Sequence, residues 1–156
     1  MTTNTVKTMD GYRSISIHKN EVKISTSREK TDNKAKQNTS IKKQYQIVNG
    51  IDLGEHKVVQ CLDKGEITVF SISQCQKICQ VPQTAVVKYS AVGNELFVKV
   101  VDDEKESIYD EVGNLIESDS ENQLAVVFKG CGVVIKKTSK KTGRENYYTF
   151  EGRLVG

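Results

Sequence analysis

Leu124-Ala125-Val126-Val127-Phe128-Lys129-Gly130-Cys131-Gly132-Val133-Val134-Ile135 is the stretch whose reading decides the fold. Two runs of apolar, largely β-branched residues flank a short segment with two glycines, the pattern of strand, turn, strand. A basic loop follows, Lys136-Lys137-Thr138-Ser139-Lys140-Lys141-Thr142-Gly143-Arg144, and behind it stand Tyr147, Tyr148 and Phe150.

Working outward, the same grammar recurs upstream. His56 to Leu62 reads as a strand closed by Asp63-Lys64-Gly65, and Glu66 to Ser73 as its partner. Thr84–Tyr89 and Glu95–Val101 form a hairpin across Gly93-Asn94, and Ser107–Tyr109 with Leu115–Ile116 repeat it across Gly113-Asn114. Gly and Asn suit the positive φ of two-residue hairpin turns. Gln74 to Gln80 is the one segment read as a short helix, because Val81-Pro82 ends whatever precedes it. The expectation is an all-β, mainly antiparallel chain: a small barrel or sandwich of hairpins with at most one short helix.

The N-terminal part differs in composition. Residues 1–45 carry ten Lys/Arg against four acids, a net +6, whereas the rest carries 13 against 16, a net −3. Thr, Ser, Asn, Lys and Gln dominate there, apart from an alternating island near residues 14–25. That island predicts a hairpin with Ile15, Ile17, Val22 and Ile24 on one face. The expected domains are a basic polar arm over residues 1–44, including a linker from Arg28 to Lys43, and a β-rich globular domain over residues 45–156. The apolar fraction of 37% and mean hydropathy of −0.48 agree with part of the chain staying out of the core.

Two local resemblances lie within this frame. Gly50-Ile51-Asp52-Leu53-Gly54 followed by His56-Lys57-Val58-Val59 resembles the first phosphate loop of actin-like ATPases. Those folds need two lobes and further nucleotide loops, so a turn leading into a strand is the expected form here. Tyr109-Asp110-Glu111-Val112-Gly113-Asn114-Leu115-Ile116 is similar to one unit of the YD-type repeats of large toxin shells, a match that reduces to shared hairpin chemistry.

Catalytic constellations do not emerge from the spacing. His18 and His56 have no nucleophile or carboxylate in register, so no enzymatic reaction is expected. The acids Asp102, Asp103, Glu104, Glu106, Asp110, Glu111, Glu117, Asp119 and Glu121 lack calcium-loop spacing and read as a solvated acidic face. Cys75 and Cys79 form the single close cysteine pair beside Cys61 and Cys131, so reduced thiols are expected rather than zinc, and no cofactor. No apolar run suits a signal peptide or a bilayer span, which predicts a cytoplasmic protein, or part of an assembly formed in the cytoplasm, without membrane contact.

Two functions then compete. In the favoured one the chain is a non-enzymatic binding and self-assembly module, a homo-oligomer or part of a larger protein assembly. Its basic arm, through Ile15, Ile17, Val22 and Ile24, docks on the acidic strip of a neighbouring copy around Asp102, Asp103, Glu104 and Glu106. In the alternative the chain is a β-barrel that binds single-stranded nucleic acid. There Lys136, Lys137, Lys140, Lys141 and Arg144 track phosphates while Tyr147 or Tyr148 stacks on a base. Adjacent strand residues point to opposite faces, so only one of the two tyrosines can share a surface with a given lysine.

Overall fold

Alternating apolar and polar residues punctuated by short turns favour antiparallel hairpins, and the computed structural model shows nothing else among the residues it describes, 2–7, 11–18, 21–28, 42–130 and 132–156. The chain divides into two compact units, residues 1–83 and 84–156.

The first unit is a seven-stranded antiparallel meander in sequence order. Its strands are β1 (Thr2–Lys7), β2 (Gly11–His18), β3 (Glu21–Arg28), β4 (Lys42–Leu53), β5 (His56–Asp63), β6 (Glu66–Ser71) and β7 (Gln76–Pro82). Lys64 and Gly65 turn β5 into β6 with φ of 52° and 81°, the positive angles that a two-residue turn of this hand requires. Bulges at Ile47/Asn49 and Val69/Phe70 add twist. The sheet curls until side chains of β1 and β2 reach the β6–β7 turn, but among the described residues no ladder joins β1 to β7, so it is not a closed barrel. Ile15 and Val22 are buried on its concave side with Val59, Cys61, Phe70, Ile72 and Cys75, and Ile17, Ile24 and Tyr45 pack against them. The Tyr45 ring meets Phe70 edge-on at 4.8 Å.

Pairing runs across the boundary that composition suggested near residue 45. β3 pairs with β4 through Val22↔Tyr45 and Ile24↔Lys43, and the unit boundary falls at Gln83/Thr84 instead. Residues 29–41 of the expected linker lie outside the described residues, as does Cys131.

The short helix expected over Gln74–Gln80 is absent. A turn occupies residues 72–75, with Cys75 at φ 52°, and the remainder is strand β7. The local pattern hid the cause, which is tertiary. The Asn4 amide donates to Ile72 O at 2.6 Å, and the Arg13 guanidinium donates to Cys75 O at 2.9 Å and Gln74 O at 3.2 Å. Those donors satisfy carbonyls that a helix would have paired internally. Pro82 then sits at the end of an edge strand, where its missing N–H costs no ladder bond.

The second unit is a small sandwich. One layer is a four-stranded antiparallel sheet in the order β11-β10-β9-β8, built from β8 (Val86–Val92), β9 (Glu95–Val101), β10 (Glu106–Asp110) and β11 (Leu115–Asp119). The other is a three-stranded sheet of β12 (Asn122–Lys129), β13 (Gly132–Ser139) and β14 (Glu145–Tyr148). Phe97 and Ile108 from the first layer meet Leu124 and Ile135 from the second, with Phe150 edge-on to Phe97 at 5.7 Å. Gly93-Asn94 is the two-residue turn expected, with Gly93 at φ 66°. Gly113-Asn114 is not: it closes a longer turn headed by Asp110, whose carboxylate accepts the N–H groups of Val112 and Asn114 and the Asn114 amide.

Among the described residues no helix is long and apolar enough to cross a membrane.

Candidate functional site

The outer edge of β14 is occupied by the chain's own end: Val155 N–H donates to Tyr147 O, and Tyr147 N–H donates to Gly156 O. Among the described residues no strand pairs with the free edge of β12, and β8 is likewise the last strand of its sheet. In an antiparallel ladder every second residue turns its N–H and C=O away from its partner. At Leu124 those outward groups are held by side chains. Glu106 Oε1 accepts the Leu124 N–H at 2.9 Å, and the Lys99 ammonium donates to Leu124 O at 2.9 Å. Lys99 and Glu106 are themselves 3.3 Å apart, with side chains 25% and 9% exposed. An ion pair thus replaces the peptide unit of a missing strand and holds the two layers together.

Beside this clamp opens a cleft of about 470 Å³. Lys88, Lys99 and Glu106 line it from one sheet, and Gln123, Lys136 and Thr138 from the other. Lys88 and Lys99 stand directly opposite each other on the β8–β9 ladder. Like charges in such cross-strand pairs repel. Three ammonium groups share the cleft with one lining carboxylate, so its chemistry is that of an anion acceptor.

The residues read from sequence as a nucleic-acid surface are dispersed. Lys137 shares the inner face with Ile135 and bridges to Glu117 at 3.0 Å and Asp119 at 3.1 Å on β11, tying one layer to the other. Lys136 points to the opposite face, 3.7 Å from Glu145. Lys140 donates to Ser120 O at 3.3 Å, while Lys141 and Arg144 are exposed at the hairpin tip. Tyr148 lies under Lys137 with the ammonium 4.9 Å from its ring centre, and Tyr147 lies under Lys129 at 4.2 Å. Each tyrosine therefore has one ring face taken by a cation of its own chain.

The residues read as an assembly surface also separate. Ile15 and Val22 are buried in the core of the first unit, with Ile17 and Ile24 half-buried against it. Glu106 belongs to the clamp. Asp102 caps its own turn, accepting the N–H groups of Glu104 at 2.8 Å and Lys105 at 2.9 Å, bonds that hold its carboxyl below the usual range. Asp103 and Glu104 are exposed.

The phosphate-loop resemblance resolves as a hairpin turn, where Asp52 accepts the Gly54 N–H at 3.1 Å and pairs with Lys57 at 3.1 Å. Burial pushes the thiols of Cys61 and Cys79 up to about 12 and that of Cys75 upward, so all three are protonated at neutral pH. Among the described residues no three His, Cys, Asp or Glu side chains are grouped to hold a metal ion.

The Lys137 bridge carries a prediction. Partial burial alone would lift the Asp119 carboxyl. The Asn122 amide, the N–H groups of Glu121 and Asn122 and the Lys137 ammonium outweigh that and bring it down to about 2. Burial likewise works against the Lys137 charge, but Glu117 and Asp119 raise its pKa overall. The depressed carboxyl contributes stability above its ordinary 3.8 that is lost as pH falls through about 2. The raised ammonium contributes below its ordinary 10.5 and is lost only at still higher pH. Lys137→Met leaves two carboxylates without their cation. At pH 7 it is expected to cost about 1–3 kcal/mol in urea unfolding and to move the Asp119 titration upward by NMR.

Sequence reading missed Lys88 and Lys99, although a signal was present. A two-residue turn at Gly93-Asn94 fixes the register of its hairpin, and counting outward pairs residue 88 with residue 99. What counting could not supply is the second layer, which brings Lys136 into the same cleft. Comparison with models of known protein families, with curated proteins and with solved structures finds no match.

Proposed function

We propose that this chain is a non-enzymatic binding and self-assembly module that works through the second unit. The observation that carries the reading is the cleft itself: three lysines around one carboxylate, flanked by the unpartnered edge strands β8 and β12. A polar, cationic hollow beside open edges suits recognition of an acidic protein segment. The compartment that fits is the cytoplasm, or an assembly built there, where free thiols stay reduced.

The contact surface favoured here differs from the arm suggested by composition, because Ile15 and Val22 already lie within their own sheet. The single-stranded nucleic-acid reading draws on the exposed Lys140, Lys141 and Arg144, but the cations over Tyr147 and Tyr148 compete with a stacking base. Light scattering of nuclease-treated protein at low and high salt tests the proposal. A discrete oligomer that dissociates as salt rises supports it. A monomer at every salt concentration, or a mass that vanishes with nuclease, overturns it.

A further inference from the structure

We propose that the lysine cleft is a carboxylate-binding site, and that its occupant is the Asp103-Glu104 turn of a second copy, with the two copies related by a two-fold axis. This rests on the assembly reading above and names the partner within it.

The cleft has donor capacity to spare. Lys99 directs one N–H to Glu106 and one to Leu124 O, and a lysine ammonium has three. Lys88 has no ion pair among the described residues, and Lys136 reaches Glu145 only at 3.7 Å. The Thr138 hydroxyl and the Gln123 amide line the same cavity and can also donate to a carboxylate oxygen. With Lys88 and Lys99 opposed on one ladder, an entering carboxylate relieves a repulsion as well as gaining hydrogen bonds.

The complementary half lies next door. The turn between β9 and β10 runs from Val101 to Glu106, and both of those residues line the cleft. The Asp102 carboxylate rigidifies the turn from within. Asp103 and Glu104 are exposed, with no ion pair among the described residues. Positive cleft and negative turn thus share one patch. A patch with opposite charges side by side complements its own image after a half-turn rotation, the geometry of an isologous dimer.

The same arrangement argues against a long polyanion. A nucleic-acid backbone needs an unbroken cationic track. Here Glu106 lines the cleft and the acidic turn runs between two of its lining residues, Val101 and Glu106, so both repel a phosphate continuing past it. A short carboxylate-bearing turn fits, because it enters and leaves on one side.

Reciprocal charge reversal in the full-length chain is the test, read by sedimentation velocity at about 50 mM and about 500 mM NaCl. One variant carries Lys88→Glu and Lys136→Glu, the other Asp103→Lys and Glu104→Lys. Each alone is expected to weaken low-salt self-association by about tenfold or more. Mixed one to one, they are expected to recover a dimer, because both contacts of the hetero-pair are then complementary. Circular dichroism checks that each variant folds, and Lys88→Ala at an exposed position serves if a double reversal does not. A parent chain that is monomeric at both salt concentrations sinks this contact together with the assembly reading. A parent that associates while the variants match it, or a mixture that does not recover, sinks the cleft–turn contact and leaves assembly standing. Binding of a fluorescent single-stranded oligonucleotide that disappears with Lys88→Glu and Lys136→Glu, without any dimer, assigns the cleft to nucleic acid instead.

Discussion

Replacing Ile15 by Asp is expected to unfold the first unit. Ile15 is 1% exposed and packs in one cluster with Val22, Val59, Cys61 and Phe70. Removing the side chain alone costs about 2–5 kcal/mol at a buried isoleucine, and an unpaired carboxylate among those residues adds its desolvation. The sum approaches the whole stability of an ordinary domain, about 5–15 kcal/mol. Ile15→Val, which removes one methylene, is the control and should cost about 0.5–1.5 kcal/mol. Urea unfolding followed by circular dichroism, and by NMR signals of residues in the first unit such as Tyr45 and Phe70, reads both. If residues 2–28 were a detachable arm, Ile15→Asp would leave the transition unchanged, and so would deleting residues 1–41. The curled sheet requires both changes to destroy it.

Glu106→Ala is expected to destabilise the second unit by about 3–5 kcal/mol, the cost of breaking a buried ion pair from one side. The change leaves the Lys99 ammonium with one fewer acceptor and removes the oxygen that receives the Leu124 N–H. Lys99→Met with Glu106→Ala removes both charges and should cost less than the sum of the same two changes made singly. Some cost persists, because Leu124 still loses the partners of its N–H and C=O. A coupling of about 1–3 kcal/mol in a double-mutant cycle confirms the clamp. Additive effects would mean that the two side chains act independently, and the account of a side-chain pair replacing a strand would be wrong.

Much of the architecture was legible in the sequence, because strand period and turn chemistry are local. Lys64-Gly65 and Gly93-Asn94 announced hairpins whose register follows by counting. The departures share one physical origin. Gln74 to Gln80 looked helical since nothing nearby reveals that Asn4 and Arg13, more than 60 residues away, take the turn's carbonyls. The N-terminal strands looked like an arm because their composition is polar, yet the few apolar residues fall on one face and suffice to join the core. At the site, the lysines of the basic loop were visible but their partners were not. Lys137 is committed to Glu117 and Asp119, and Lys136 turns toward Lys88 and Lys99, through a layer packing that no local pattern encodes.

The bonds from Asn4 and Arg13 to the β6–β7 turn also order events in time. Each hairpin of the meander joins neighbours in sequence, so it closes a short loop and forms early. The latch joins residues 68 and 62 positions apart and must wait until every intervening strand is placed. Interactions absent from the transition state act on the rate of escape rather than the rate of entry. Arg13→Ala should therefore leave the folding limb of a chevron almost unmoved and steepen nothing, while raising the unfolding limb. The curled sheet would then open first at this seam, where a guanidinium and an amide lengthen its lifetime.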